Sequence, residues 1–451
     1  MSIIKVRILD FIKDNIGIDR SILWGVLNRG LGFIRGPISI YFLVTYLTPG
    51  DQGLWYTFGS LSALTIFAEL GFTSIITQFV SHEFAKIPDK EKLVDSGRSD
   101  ISRLIGLIQF SIKFYLLIIP TAIVILLVVG YFYFKTELTA IYFAWFVFSI
   151  TGGFGLFIGL LQSIYQGLDK VKDIQKNIFI STTINTVLTW IFLMLHFKIW
   201  ALVLGNLLGL MLTTILLFNL SPGFWKLIYK FKLSEKFNFL TETLPLQLRY
   251  AVTWISSYFV IYLYIPATYK LVGDIQAGQF GITYSIFTTI SSVANNWVFT
   301  KVPKFNMHAA LKDVNSLNIL FKRSSLQGFS VLIFLYMVFI LALFFLKIYL
   351  PNIAVRFMDI KLTILFMIPQ IAQYFIGILA TYLRAHKEEP FMWVSVLMAF
   401  LLIGSVFGIL SLKLGLEILF YVLIIIYWII ILPIALKIFF DKRKLYLTKY
   451  Y

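Results

Sequence analysis

The chain of 451 residues contains no cysteine, and only 14% of its residues are charged. Without cysteine there are no disulfides, no iron–sulfur clusters and no cysteine-ligated zinc. An ordinary soluble domain carries about 25% charged residues, and here no polar segment is long enough to fold a core of its own. These absences exclude an ordinary soluble domain and every cysteine-based metal site.

Motifs of common membrane enzymes and pumps are also absent. No GxxxxGK[ST] phosphate-binding loop occurs, which argues against direct use of ATP. The four histidines lack the spacing of metal ligands, so no metal site is predicted. A membrane polymerase or glycosyltransferase would need a sizeable external loop with acidic residues, and the external loops are short. We therefore expect that the protein is not an enzyme.

Apolar residues are abundant. They make up 59% of the sequence, and the mean hydropathy is +0.86. Runs of about 20 apolar residues, the length that crosses a bilayer as an α-helix, occur from end to end. The sequence predicts an all-α membrane protein with about 12 transmembrane helices in two six-helix lobes around a central cavity. The predicted spans are 22–48, 54–80, 104–134, 138–165, 177–197, 199–220, 245–270, 276–301, 326–350, 360–384, 391–412 and 416–440.

Positive charge is distributed unevenly along the chain. The formal net charge is +17, and most of the 39 lysines and arginines fall in the termini and in alternate loops. Positively charged loops stay on the cytoplasmic side of a membrane. With an even number of spans, this distribution places both termini in the cytoplasm. The charge is explained by topology, and we expect no nucleic-acid partner.

The longest polar connection follows the sixth span and divides the chain into halves. The predicted segments are an amphipathic cytoplasmic segment 1–21, an N-lobe 22–220, a cytoplasmic linker 221–244, a C-lobe 245–440 and a basic cytoplasmic tail 441–451. A weak repeat supports this division, because "YLTPGDQGLWYTFGSLSAL" after the first span resembles "YKLVGDIQAGQFGITYSIF" after the seventh. Internal repeats are typical of transporter folds, in which the binding site lies where the repeats meet.

The first span contains an unusual stretch, "NRGLGFIRGP". Arg29 and Arg35 lie on one broad face, at depths of roughly 10 and 20 Å from the cytoplasmic end of the span. Charged side chains at such depth are costly and usually functional. Gly32 and Gly36 form a GxxxG face for close helix approach, and Gly36 and Pro37 are a candidate hinge because proline bends a helix. The pattern favours a cradle for an anionic ligand, since arginine binds phosphate oxygens with two parallel hydrogen bonds.

The alternative is that these arginines are structural. Arg29 would then snorkel to the interface or pair with Glu69, the only acidic residue clearly within a span. Glu69 reaches a depth near that of Arg29. Glu69 is therefore either an ion-pair partner or the carrier of a coupling proton or sodium ion, and no other cofactor is expected.

Three further residues are weaker candidates for substrate binding. Arg249 starts the seventh span, the counterpart of the first, and is equally explained as a cation at a loop end. Lys113 lies on a polar stripe and either faces the cavity or snorkels to the interface. Asn295 belongs to a run of hydroxyl and amide residues in the eighth span that either binds sugar or joins helices.

Several stretches resemble known families. "RGLGFIR" is similar to the first-helix motif of the bacterial lipid II flippase, in which two arginines at this spacing line a cationic cavity. The stretches "YLTPGDQGLW", "AELGFTSIITQFVS", "QGLDKVKDIQ" and "GDIQAGQFGITYSIFTTISS" resemble the O-unit (Wzx-type) polysaccharide flippases. Both families belong to the multidrug/oligosaccharidyl-lipid/polysaccharide exporter superfamily, and the likeness covers nearly the whole chain. Twelve spans fit the polysaccharide flippases better than the fourteen of the lipid II flippase.

The resemblance implies a flippase of the bacterial cytoplasmic (inner) membrane. It would move an undecaprenyl-pyrophosphate-linked oligosaccharide to the external leaflet by alternating access, for synthesis of a surface polysaccharide such as O antigen. Expected partners are this lipid, membrane lipids and other polysaccharide-assembly proteins, with a monomer as the functional unit. The alternative is a multidrug or organic-ion exporter of the same superfamily, although a cationic cavity would repel cationic drugs.

Two departures put ion coupling in doubt. The lipid II flippase leads one to expect an aspartate for sodium in the seventh span, which has no acidic residue. The polysaccharide flippases more often show aspartate where this chain has Glu69. The driving ion therefore stays open.

Single cysteines introduced into this cysteine-free chain test the topology. Because positively charged loops stay cytoplasmic, a membrane-impermeant thiol reagent should label the external sites in intact cells and leave the cytoplasmic sites protected. Labelling in permeabilised cells is the control, because there every introduced cysteine should react with the reagent. A reversed pattern at two or more sites overturns the assigned sides and the number of spans. The external sites are Asp51, Lys198 and Lys413, and the cytoplasmic sites are Lys90, Lys232 and Lys312.

Overall fold

The computed structural model is helical wherever it describes the chain. No strand occurs among those residues, as expected where backbone groups in hydrocarbon must bond within their own helix. The predicted segment 1–21, except for its last two residues, and most of the linker 221–244 lie outside the described residues. The structure describes residues 20–85, 87, 98–135, 139–221, 225, 228, 244–386 and 390–450.

Most of the described helices are separated by only a few residues. In chain order they are α1 (Arg20–Tyr46), α2 (Pro49–Ser62), α3 (Ile66–Glu69), α4 (Phe72–Ala85), α5 (Arg98–Phe134), α6 (Thr139–Gly167), α7 (Val171–Met194), α8 (Ile199–Leu220), α9 (Leu244–Ile261), α10 (Tyr264–Leu271), α11 (Asp274–Phe299), α12 (Val302–Ala310), α13 (Val314–Tyr349), α14 (Pro351–Ala354), α15 (Ile360–Arg384), α16 (Met392–Ser411), α17 (Gly415–Ile425) and α18 (Leu432–Tyr450). A 3₁₀ turn joins α2 to α3, and a π-helical turn joins α17 to α18.

These helices form two compact units. The first takes the described residues of Met1–Leu47 and Leu64–Ala251, and the second takes those of Thr48–Ala63 and Val252–Tyr451. The core of the first unit lies where α4, α5 and α6 meet, and Phe72, Ile105 and Leu161 are fully buried there. The second unit includes α2, which the sequence division assigns to the N-lobe.

The all-α membrane fold is confirmed. Each of the twelve predicted spans is occupied by a helix or by consecutive helices. Eight helices of the described residues are long and apolar enough to cross a membrane, and two bent pairs bring the number to ten. α1 and α11 are not among them. α1 carries Arg29 and Arg35, and α11 carries the run of hydroxyl and amide residues.

The sharp breaks lie in the second and seventh spans. The chain bends by 53° between Glu69 and Phe72 and by 47° between Ile261 and Tyr264. At the first break Leu70 takes a left-handed conformation with φ of 53°, which is uncommon for a residue other than glycine. α1, in contrast, continues as one helix through Pro37, so the hinge at Gly36 and Pro37 stays a prediction.

The two repeated stretches pack against each other within the second unit. α2 and α11 meet through glycines, and a Cβ built on Gly53 would lie only 2.0 Å from the carbonyl oxygen of Asp274. A Cβ on Gly278 would lie 2.9 Å from the backbone nitrogen of Gly53. The Nε2 of Gln52 donates across the contact to the carbonyl of Gly278 at 2.8 Å. The repeat therefore marks a pair of helices whose backbones touch.

The expected close approach at Gly32 and Gly36 does not occur among the described residues. No described neighbour lies within 4 Å of a Cβ built on either glycine. The GxxxG pair that packs is Gly205 and Gly209 of α8, where a Cβ would meet Thr189 and Asn185 of α7. The spacing alone does not say which pair has a helix opposite it.

Alanine at Gly53 tests the contact between α2 and α11. The added methyl group cannot fit beside the carbonyl of Asp274, and overpacking of this kind costs typically about 1–3 kcal/mol. Gly53→Ala should lower the temperature at which the purified protein in detergent loses its monodisperse form. Gly59→Ala in the same helix is the control, because its Cβ meets nothing within 4 Å and alanine favours the helix by about 1 kcal/mol. Equal stability of the two variants would contradict the contact.

Candidate functional site

Arg35 lies midway along α1, facing α7. It is about 22 Å along the helix axis from Arg20, the first residue of α1. Its Nη1 donates a hydrogen bond of 2.8 Å to the Oγ1 of Thr182. The Thr182 hydroxyl donates in turn to the carbonyl of Ile178 at 2.7 Å, so its oxygen is free to accept from the guanidinium. This pair joins a permanent positive charge to a polar group midway along α1.

Aromatic contacts hold α1 and α7 together on both sides of this pair. Towards the start of α1, Trp24 packs edge-on against Phe179, with ring centroids 5.3 Å apart. Towards its end, Trp190 stacks on Phe42 at 5.3 Å and donates a hydrogen bond of 3.0 Å to Ser39. These contacts recur on the α1 face that carries Arg35. The sequence therefore positions the guanidinium through packing that does not involve the charge itself.

The location of Arg35 has an energetic consequence. A charged side chain is costly in an apolar environment and persists where it is paired, hydrogen-bonded or functional. Arg35 is only partly buried, and its hydrogen bond to the Thr182 hydroxyl leaves the guanidinium group charged. Its charge is therefore suited to an anionic ligand.

Glu69 lies at the end of α3, beside the break in the second span. Its carboxylate accepts hydrogen bonds from the backbone nitrogen of Thr73 at 3.2 Å and from the Thr73 hydroxyl. The buried hydroxyl of Tyr115 lies beside the same carboxylate, outside hydrogen-bond geometry. The described surroundings of Glu69 are thus neutral groups, two of which donate to it.

Two predicted cationic residues fall where side chains lie outside the described residues. Arg29 belongs to α1 and Arg249 to α9, but the described residues include only their backbones. The pairing of Arg29 with Glu69 and the cavity role of Arg249 therefore stay predictions. Among the described residues, no contact joins Arg35 to Glu69.

Lys113 is exposed on α5 and makes no described side-chain contact. The other members of its polar stripe have structural partners. Arg103 pairs with Glu83 at 3.5 Å, and Gln109 donates to the carbonyl of Ile228 at 2.6 Å. The stripe as a whole is therefore a packing surface, and a substrate role for Lys113 alone stays a prediction.

Asn295 is half-buried in α11, in the second unit. Its neighbours on the polar run are used for structure, since the Ser291 hydroxyl bonds the Tyr336 hydroxyl of α13 at 3.1 Å. The Thr288 hydroxyl donates to the carbonyl of Ser285 in its own helix at 2.9 Å. Joining helices is thus the observed role of Ser291, and sugar binding by Asn295 stays a prediction.

Thr182 is the residue that the sequence analysis missed. It belongs to "STTINT" in α7, a polar run in the middle of a span, and that run was an available signal. What the run does not show is which of its hydroxyls faces Arg35. Among the described residues, no group of three or more histidine, aspartate or glutamate side chains could hold a metal ion.

Comparisons with known proteins place the fold. No protein-family model matches the sequence, and no curated protein sequence matches it. Solved structures do match. The chain is similar to an inward-facing multidrug resistance MATE family transporter of the MOP superfamily, at 12% identity and a TM-score of 0.61, over 88% of this chain and 94% of that one.

Two further solved structures are similar over nearly their whole length. An outward-facing multidrug resistance MATE family transporter of the MOP superfamily matches with 13% identity and a TM-score of 0.56, over 96% of this chain and 97% of that chain. The MATE transporter ClbM in complex with Rb+ matches with 16% identity and a TM-score of 0.53, over 93% of this chain and 94% of that chain. At such identities the likeness shows the fold alone. The chain has the fold of the MATE family transporters of the MOP superfamily.

Proposed function

We propose that this protein is a flippase of lipid-linked oligosaccharide. It would move an undecaprenyl-pyrophosphate-linked oligosaccharide from the cytoplasmic to the external leaflet of a bacterial cytoplasmic membrane, for synthesis of a surface polysaccharide such as O antigen. The observation that supports this proposal best is the position of Arg35. It brings a fixed positive charge to the middle of α1, in a unit built largely from apolar helices, and an anion in transit through such a unit needs compensation.

The chemistry of such a substrate matches this charge. Turning the lipid over requires a diphosphate and a sugar chain to pass about 30 Å of hydrocarbon. A guanidinium group stays charged in an apolar environment and offers phosphate oxygens a planar fork of donors. The prenyl tail needs no protein channel because it is soluble in the bilayer. Arg35, with Arg29 nearer the cytoplasmic mouth, would hold the diphosphate.

Alternating access is the mechanism that the fold supports. Solved structures of this fold include inward-facing and outward-facing conformations. In the proposed cycle the substrate reaches the arginines from the cytoplasm, and a change of conformation exposes them to the outside. Both termini would remain cytoplasmic, and a monomer would suffice.

A multidrug or organic-ion exporter is the second candidate. Two of the similar solved structures are multidrug resistance transporters, and Glu69 places one carboxylate within a span. The half-buried charge of Arg35 counts against organic cations, which it would repel. Substrates of opposite charge therefore separate the two functions.

Replacing Arg35 is the direct test of the proposal. Loss of a charge-assisted phosphate contact costs on the order of 1.5–3 kcal/mol, which is about a ten- to hundred-fold loss of affinity. Arg35→Ala should therefore be nearly inactive, whereas Arg35→Lys should be partly active because it keeps the charge and loses the fork. The measurement is leaflet exchange of a defined lipid-linked oligosaccharide in proteoliposomes, normalised to folded protein.

Matched variants separate a substrate role from a structural one. Arg103→Ala also removes one arginine, whose partner is the carboxylate of Glu83. This variant should exchange the lipid at the wild-type rate. Thr182→Val removes the acceptor of Arg35 and should reduce exchange in part. Thr186→Val, one turn further on, should not reduce it, because that hydroxyl donates to the carbonyl of Thr182 in its own helix. Wild-type exchange by folded Arg35→Ala would refute the proposal, and efflux of organic cations with no lipid exchange would favour the second candidate.

Glu69→Gln tests ion coupling. Glu69 is a candidate carrier of the coupling ion because it places a carboxylate beside the break in the second span, with described neighbours that are neutral groups. Glutamine can still accept from Thr73, so the variant should fold, bind substrate and lose the dependence of transport on an ion gradient. Exchange is measured with and without proton and sodium gradients. If Glu69 instead pairs with Arg29, the variant should yield less folded protein, since an unpaired buried charge would remain.

A further inference from the structure

A second cationic site lies in the second unit, where α11 ends and the first third of α13 passes it. A cavity of about 320 Å³ is lined there by Lys301, Leu320, Arg323, Ser324 and Gln327. Its volume is within the range of roughly 300–1,000 Å³ that is typical of small-ligand sites. None of these residues belongs to the site built around Arg35.

Helix geometry explains why these side chains meet. Leu320, Arg323, Ser324 and Gln327 follow an i, i+3, i+4, i+7 spacing, which places them on one face of α13. Lys301 lies in the turn between α11 and α12, and its backbone nitrogen donates to the carbonyl of Val298 at 2.9 Å. The sequence thus presents one cation from a turn and another from a helix face to the same space.

A tight helix contact fixes the separation of the two cavity walls. A Cβ built on Gly328 would lie 2.8 Å from the carbonyl oxygen of Ala294, so α11 and α13 touch one residue beyond Gln327. Ser324 is buried, and its hydroxyl donates to the carbonyl of Leu320 at 2.9 Å. The wall is therefore held by the glycine contact and by bonds within α13, and the two cations are not used to hold it.

The charges in this cavity are uncompensated among the described residues. No acidic side chain lines the cavity, and neither Lys301 nor Arg323 has an ion-pair partner in the described part of the chain. Asp313, at the start of α13, accepts from the backbone nitrogen of Ser316 at 3.0 Å and faces His308 at 3.5 Å. Two cations beside an amide, without a carboxylate, make a site suited to an anion.

The level of the cavity along α13 indicates where that anion resides. α13 has 36 residues and is about 54 Å long, which exceeds the roughly 30 Å of hydrocarbon. Tyr349 ends α13, and the charge distribution predicts that this end is external. Measured from Tyr349, Gln327 lies about 33 Å and Arg323 about 39 Å along the helix. With the external end at the hydrocarbon boundary, both residues lie among the headgroups of the cytoplasmic leaflet.

The surface next to the cavity is suited to lipid tails. Leu326 is 55% exposed beside Gln327, and Phe299 is 49% exposed two residues before Lys301. A headgroup bound by the two cations would therefore leave its tails against apolar side chains.

We infer that this cavity binds the phosphate headgroup of a lipid in the cytoplasmic leaflet. Arg323 supplies a planar fork of donors and Lys301 a point charge, the two ways in which cationic side chains bind phosphate. The ligand class is a lipid phosphate or diphosphate, carried either by the transported prenyl lipid or by an anionic phospholipid. The inference is independent of the role of Arg35.

Binding to the purified full-length protein tests this site. The probes are undecaprenyl pyrophosphate, phosphatidylglycerol and inorganic pyrophosphate, each titrated in detergent and followed by native mass spectrometry. The double variant Lys301→Ala/Arg323→Ala should bind at least one of the two lipids about ten- to hundred-fold more weakly. The matched double variant Lys304→Ala/Lys322→Ala removes the same charge from exposed residues outside the cavity, and its affinities should stay close to wild type.

The pattern of losses identifies the source of the phosphate. Weaker binding of undecaprenyl pyrophosphate alone assigns the site to the carrier lipid, and weaker binding of both lipids assigns it to phosphate headgroups in general. Equal affinities in the two double variants, or a loss confined to inorganic pyrophosphate, would overturn the lipid site. The variant Lys301→Arg/Arg323→Lys keeps both charges and should retain most of the binding, which separates lost contacts from misfolding. The same titrations in an Arg35→Ala background, which lacks the diphosphate site proposed in the first unit, should still show the loss caused by Lys301→Ala/Arg323→Ala. The outcome of this test therefore does not depend on the outcome of the flippase test.

Discussion

The absence of water in hydrocarbon is the constraint on which this structure depends. Each backbone N–H and C=O group there must bond within the protein, and an α-helix satisfies both groups along its own length. Hydroxyl side chains in the spans follow the same rule. Ser149 donates to the carbonyl of Trp145 at 2.8 Å, and Thr213 donates to that of Gly209 at 2.7 Å. A polar side chain that bonds between helices therefore stands out from this background.

Charge is the second consequence of that constraint. A permanent charge in an apolar unit is costly, and Arg35 donates a hydrogen bond to the neutral hydroxyl of Thr182. In the second unit, Lys301 and Arg323 share a cavity that no acidic side chain of the described residues enters. Arg35 lies midway along α1, whereas Lys301 follows the end of α11 and Arg323 lies in the first third of α13, where we infer a site for a lipid headgroup. Under the proposed function, a diphosphate lipid would need positive charge both when it is taken up and while it crosses the membrane.

The sequence predicted correctly those features that depend on one segment, such as the positions of the helices. It did not predict features that depend on which second helix packs against that segment. Every predicted span contains helix because about 20 apolar residues in a row leave no other solution in a bilayer. The spacing of Gly32 and Gly36 suggested close packing, yet the structure has no described neighbour there and uses Gly205 and Gly209 instead. The polar run that contains Thr182 was visible, but the face that meets Arg35 depends on how α1 lies against α7.

The amino-acid sequence by itself determined the membrane fold, the positions of the helices and the presence of a charge deep in the first span. These follow from hydrophobicity and helix periodicity, which are properties of a single segment. The tertiary structure alone decided which glycines touch a backbone, which hydroxyl meets Arg35, and that Lys301 and Arg323 line one cavity. Those facts depend on pairs of segments that are distant in the chain, and their relative rotation and height are set by the packing of many side chains at once.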